Sequence, residues 1–124
     1  MSVQTETAPA SAAIQAQGFD HVAIWVRDLS ASVEWYQRVL GLPIAHGDDH
    51  HVFLRVGDEV LALFQADGTP AGGPHHLAIR VPDVERALDS VRTHGIEPRK
   101  SGPSLGFADL DGNWIHFSGS RGGG

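Results

Sequence analysis

Eight histidines in 124 residues is a high density, and imidazole both ligates transition metals and exchanges protons near neutral pH. Two of the eight stand in matching surroundings: His21 in Asp20-His21-Val22-Ala23-Ile24-Trp25-Val26-Arg27-Asp28, and His76 in His75-His76-Leu77-Ala78-Ile79-Arg80-Val81-Pro82-Asp83. Ala23 then falls on Ala78, Ile24 on Ile79, Val26 on Val81 and Asp28 on Asp83, at an offset of 76 − 21 = 55. A third histidine, His116, lies shortly after the turn Asp111-Gly112. Registering that turn on Gly57-Asp58 sets His116 opposite Ala62, at 116 − 62 = 54. If the repeats pack about a pseudo-twofold axis, positions 21, 62, 76 and 116 converge, and three of them are histidine. Three neutral imidazoles facing vacant positions make an open divalent-metal site with room for water or substrate. A single histidine on a strand face is more often a hydrogen-bonded structural group, and a metal-free ligand-binding pocket would not need histidine at these places.

The elements that must position these residues follow from periodicity. Phe19 to Val26 alternates, with Val22, Ile24 and Val26 on one face and His21, Ala23 and Trp25 on the other. The second copy divides the same way, Leu77, Ile79 and Val81 against His76, Ala78 and Arg80. Asp28 and Asp83 then cap helices. Leu29, Val33, Tyr36 and Leu40 form the apolar stripe of the first, Val84, Leu88 and Val91 that of the second, and Gly41 and Gly95 stop them. Three short strands follow each helix: around 43–46, 51–56 and 59–65 in the first copy, and around 99–101, 106–110 and 113–118 in the second. The fold class is therefore α+β, two tandem βαβββ modules with pseudo-twofold symmetry. Residues 19–118 form a single domain of modules 19–66 and 74–118 joined by a linker over 67–73. Residues 1–18 read as a disordered extension and 119–124 as a flexible tail.

Each module of about 50 residues is near the lower limit for an independent core, so the halves share one core or pack against a second chain. A net charge of −6 argues against nucleic acid as partner. No apolar run approaches a membrane span, and the N-terminus lacks the basic and apolar regions of a secretory signal, which leaves the cytoplasm as the expected location. Without cysteine, disulfides, thiolate metal sites and a cysteine nucleophile are excluded.

The strand faces that carry the histidines also carry Trp25, His51, Phe53, Arg55, Phe64, Arg80 and Trp114, with His46 close by. Arg55 and Arg80 suit a carboxylate or enolate, and the aromatics suit a planar substrate. His51 and His46 are candidate general bases. The alternatives are that Arg55 pairs with Asp109, its neighbour by the repeat offset, and that Trp25 is core. Asp48-Asp49-His50-His51 reads as a solvated loop rather than a second metal site.

The paired βαβββ units, His-Val-Ala-Ile and His-Leu-Ala-Ile, Leu40-Gly41-Leu42 and the closing Asp109-Leu110-Asp111-Gly112-Asn113-Trp114-Ile115-His116-Phe117 resemble the vicinal oxygen chelate superfamily. That group includes glyoxalases, bleomycin resistance proteins and extradiol dioxygenases. The resemblance covers residues 19–118 and implies a cup-shaped mixed sheet, a divalent metal inside it, and a homodimer in which modules can be exchanged. It places metal ligands at His21 and His76, with His116 where the family has a carboxylate and Ala62 where a glyoxalase-like site has another. Replacing carboxylate by imidazole leaves one more unit of positive charge on the metal. That change favours anionic substrate oxygens and suits Fe, Zn, Ni or Co. The function implied is a metal-dependent enzyme that chelates a small oxygenated substrate, with dioxygenase-like oxidation in the case of iron. The alternatives are a lyase or isomerase using Zn, Ni or Co, and a metal-free sequestering protein of the bleomycin-binding kind.

Overall fold

The structure is a computed structural model that describes residues 19–68, 76–101 and 104–119. The expected extension, most of the linker and residues 120–124 of the tail lie outside the described residues. The first module runs β1 (Val22–Val26), α1 (Leu29–Leu40), β2 (Ile44–Gly47), β3 (His51–Val56) and β4 (Glu59–Gln65). The second repeats it as β5 (Leu77–Val81), α2 (Val84–Arg92), β6 (Arg99–Ser101), β7 (Ser104–Ala108) and β8 (Trp114–Gly119). Each module makes its own sheet, in the orders β1-β4-β3-β2 and β5-β8-β7-β6, with the first strand parallel to the last and the rest antiparallel.

Local chemistry fixes the helix ends. Asp28 is extended and accepts from the Ala31 N–H at 3.0 Å, and Asp83 does the same for Arg86 at 3.2 Å. Gly41 ends α1 in the left-handed region at φ 69°, its N–H returned to the Gln37 carbonyl. The second helix stops earlier than its glycine predicts. Thr93 stays right-handed, and the His94 and Gly95 N–H groups close tighter turns onto Val91 and Arg92 before Gly95 reaches φ 78°. Strand β7 begins and ends two residues earlier than expected, because Asp109 leaves the strand to cap the turn that follows.

One face of each sheet is covered. Ile24, Val26, Leu54, Leu61 and Leu63 from the first sheet and Phe107 and Ile115 from the second join one core with α1 and Val91 of α2. Burying each such side chain contributes about 1.5–3 kcal/mol. The stripe of α1 is rotated from the expected one: Leu29, Ser32, Trp35, Tyr36 and Val39 are buried, while Val33 and Leu40 sit at its margin. The rotation brings Trp35 to within 6.3 Å of the Phe107 ring and carries α1 onto the second sheet.

A polar latch completes that junction. Tyr36 donates to Asp109 Oδ2 at 2.6 Å, while Asp109 Oδ1 accepts from the N–H groups of Asp111 and Asn113. Arg27 Nε lies 2.7 Å from Asp111 Oδ1, whose carboxylate is almost fully buried. The suggested Arg55–Asp109 pair is not formed. Asp109 is occupied by Tyr36 and Asn113, and Arg55 stands exposed on the other sheet.

Candidate functional site

The other face of each sheet is open, and the candidate residues are on it. Strand register places them in rows across the first sheet: Ala23–Ala62–Phe53–His46, and beside it Trp25–Phe64–His51. Directly opposed side chains share a face. Phe53 is the centre of this surface, with ring centroids 5.2 Å from His21, 4.6 Å from His46 and 5.3 Å from His51. His51 also stacks on Phe64 at 5.3 Å, and Phe64 meets Trp25 edge-on at 5.8 Å. Trp25 is 42% exposed, so the core alternative for it is excluded. Two carboxylates orient imidazoles here. Asp20 Oδ2 lies 2.7 Å from His21 Nδ1, so Nε2 is the ring nitrogen not engaged by that carboxylate. Asp48 Oδ1 lies 3.3 Å from His51 Nδ1 and accepts the His50 and His51 backbone N–H groups, which hold its carboxyl below the usual carboxylate range.

The second sheet repeats the arrangement with different side chains. Its rows are Ala78–His116–Gly106–Arg99 and Trp114–Ala108. His76 and His116 lie together, ring centroids 4.9 Å apart. Arg80 is exposed at the edge of the same face.

The structure thus brings together two of the three histidines expected to ligate a metal, His76 and His116, and places His21 on the other sheet against Phe53 and Asp20. Among the described residues no three His, Asp or Glu side chains form a group that could hold a metal ion. His46, His51, Arg55, Phe53, Phe64 and Trp25 share the face of His21; Arg80 and Trp114 share that of the pair. Asp48 and His50 serve the loop that presents His51, with no metal cluster there.

A cleft of about 720 Å³ lies elsewhere, between Val22, the β3–β4 hairpin and Leu77 to Arg80. Its walls join inner-face apolar residues such as Val22, Leu61 and Ile79 to the hairpin residues Gly57, Asp58 and Glu59 and to Ala78 and Arg80. Only Arg80 of the expected residues borders it.

Sequence reasoning passed over Asp20, Arg99 and Gly106. Asp20 was legible as the carboxylate preceding His21. Arg99 was legible as the repeat counterpart of His46, had the rows been carried to the outer strand.

The sequence model of the Glyoxalase/Bleomycin resistance protein/Dioxygenase superfamily matches residues 18–117. An ethylmalonyl-CoA/methylmalonyl-CoA epimerase of Cereibacter sphaeroides is 29% identical over 105 residues, covering 70% of this chain and 78% of its own. Among solved structures, lactoylglutathione lyase from Agrobacterium tumefaciens superposes with a TM-score of 0.70 at 20% identity, over 85% of this chain and 95% of its own. The fosfomycin resistance protein FosX from Listeria monocytogenes, solved with Mn(II) and sulfate, gives 0.70 at 16% identity, over 86% and 94%.

Proposed function

The chain belongs to the Glyoxalase/Bleomycin resistance protein/Dioxygenase superfamily, and on that premise we propose that it is a metal-dependent enzyme acting on a small oxygenated substrate. His76 and His116 are two of the ligands, and His21 of a second copy is the third. The observation that carries this is the division of the histidines: a touching pair on one open face and a carboxylate-oriented single imidazole at the equivalent repeat position on the other. Among the described residues of one chain only a pair of imidazoles comes together, too few ligands for a catalytic site. An isologous dimer that apposes unlike faces completes two identical three-histidine sites and forms the cup. It also covers Trp25, 42% exposed on the first open face.

A bound divalent ion would hold adjacent substrate oxygens, as a Lewis acid with Zn, Ni or Co and beside dioxygen with Fe. The chain's own contribution is to orient. The Phe53 cluster walls the pocket, Trp25, Phe64 and Trp114 exclude water, Arg55 and Arg80 hold anionic groups, and His51 or His46 moves the proton. Lyase or isomerase chemistry is supported by the epimerase and lyase relatives. Oxidation is supported by the absence of a carboxylate at Ala62, the position of a glyoxalase-like ligand.

The test is metal analysis and mixing. Wild type is expected to purify as a dimer with about one divalent ion per chain, and His21→Ala and His76→Ala without metal. Mixed and refolded together, those two variants regain one intact site in each mixed dimer, because the lesions fall in different chains of the same site. A monomer without metal after reconstitution would leave only the sequestering alternative. Iron together with oxygen uptake on a catechol selects the oxidative branch.

A further inference from the structure

In a chain of net charge −6, the open faces carry arginines without acidic partners. Arg27, Arg38 and Arg92 are each paired with a carboxylate. Arg80 and Arg99, both on the open face of the second sheet, have none among the described residues. The other described side chains in the rows of that face are neutral or imidazole: Ala78, His116, Trp114, Ala108, Ser118 and Ser101. Among the described residues, two guanidinium groups without a carboxylate in ion-pair contact therefore share the face of the His76–His116 pair, Arg80 at its margin beside the cleft that Asp58 and Glu59 also line.

Arg99 is also held in place. Its guanidinium carbon lies over the Trp114 ring, 6.0 Å from the centroid, at the outer limit of a cation–π contact. Trp114 in turn lies across Gly106, where a Cβ would stand 2.6 Å from the indole Cε2 and 2.7 Å from Cζ2. The first module has Phe53 at the Gly106 position and His46 at the Arg99 position. The second copy has thus exchanged an aromatic wall and an imidazole for a vacant backbone position, an indole laid into it and a cation resting on the indole.

We propose that this face binds an organic oxyanion, a carboxylate or a phospho group of the substrate, with Arg99 as its main contact, Arg80 as the second, and Trp114 on Gly106 as the positioning platform. The proposal takes the location of the site from the metal-enzyme reading and adds the substrate class. A guanidinium offers two parallel donors to either oxyanion, which lysine does not.

The experiment is a titration of the metal-free protein with inorganic phosphate and, separately, with benzoate at constant ionic strength, followed by NMR of the indole N–H resonances. The three tryptophans provide internal controls: Trp35 is buried and Trp25 lies on the other sheet. A saturable shift of Trp114 with Trp35 unmoved is expected. Arg99→Met should weaken Kd about tenfold, the value of one charge-assisted contact. Arg99→Lys should recover part of that loss, and Arg86→Met, an equal charge removed from α2, should leave it unchanged. Tighter benzoate than phosphate assigns a carboxylate, and the reverse a phospho group. No saturable shift with either probe, or an equal effect of Arg86→Met, overturns the proposal. Failure of metal binding with the Trp114 shift intact overturns the metal reading alone. Stoichiometric metal with Kd indifferent to Arg99→Met overturns this inference alone.

Discussion

Tyr36 offers a test of the junction that holds the two modules in register. It is the chain's one tyrosine and is 1% exposed, and its hydroxyl donates to Asp109 Oδ2 at 2.6 Å. Burial pushes the phenol far above its ordinary range, and the neighbouring Asp109 and Asp111 carboxylates push it further. At neutral pH, Tyr36→Phe removes a hydrogen bond to a charged acceptor that keeps three other donors, a loss of about 1.5–3 kcal/mol. In alkali the sign reverses. The unfolded phenol releases its proton near pH 10 while the folded one retains it, so the unfolded state binds fewer protons and wild-type stability falls above about pH 10. The slope approaches about 1.4 kcal/mol per pH unit, and the phenylalanine variant has no such term. Urea unfolding between neutral pH and about pH 11.5 should show the wild type more stable at first and the two curves converging within about one to two units above pH 10. Phenolate absorbance reports on this group alone. A native-state phenol that titrates near pH 10, or a variant with the same alkaline decline, would refute the buried latch.

Two further outcomes are expected. Gly106→Ala sets a Cβ 2.6 Å from the Ile115 carbonyl oxygen and from the Trp114 indole. It should cost about 1–3 kcal/mol in denaturant unfolding and move the Trp114 indole N–H resonance while that of Trp35 stays. Asp48, held acidic by the His50 and His51 N–H groups, supports its loop at pH above the ordinary carboxylate value and loses that support as pH falls through its lowered one. Protection of the His51 amide, its exchange rate relative to the intrinsic rate at the same pH, should therefore fall in acid, and Asp48→Ala should show the lower protection already at neutral pH.

The repeat made most of the fold legible. Alternation in β1 and β5, the aspartate caps and the turn glycines are local features, and five strands fall on their expected residues to within one position. Misses came where a distant partner decides. Trp35 is buried because Phe107 lies across from it, and nothing within α1 says so. Asp109 ends β7 early because its carboxylate gathers Tyr36 and Asn113. The faces of the candidate residues were also legible, since period-two alternation assigns them. What the repeat could not supply was which open face meets which. Convergence about an internal axis assumed that the two modules turn those faces towards each other within one chain. Instead α1 inserts its aromatic stripe towards the second sheet, so that the covered faces share the core.

That packing explains why the two copies diverged where they did. Positions that build the fold are alike in both: Ile24 and Ile79, Val26 and Val81, Asp28 and Asp83. Covered strand positions change among apolar residues, Leu54 against Phe107 and Leu61 against Ile115, whereas the open faces change chemical type, Phe53 against Gly106, His46 against Arg99 and Ala62 against His116. An internal axis that joined the open faces of one chain would bring unlike surfaces together once. In the proposed dimer the axis would join them twice, the aromatic and imidazole surface of one chain on the cationic surface of the other. Changes that would unbalance a symmetric interior would then be tolerated, because each proposed site would still receive one surface of each kind. On that proposal, one copy would be specialised for the aromatic wall and the other for the substrate's charge.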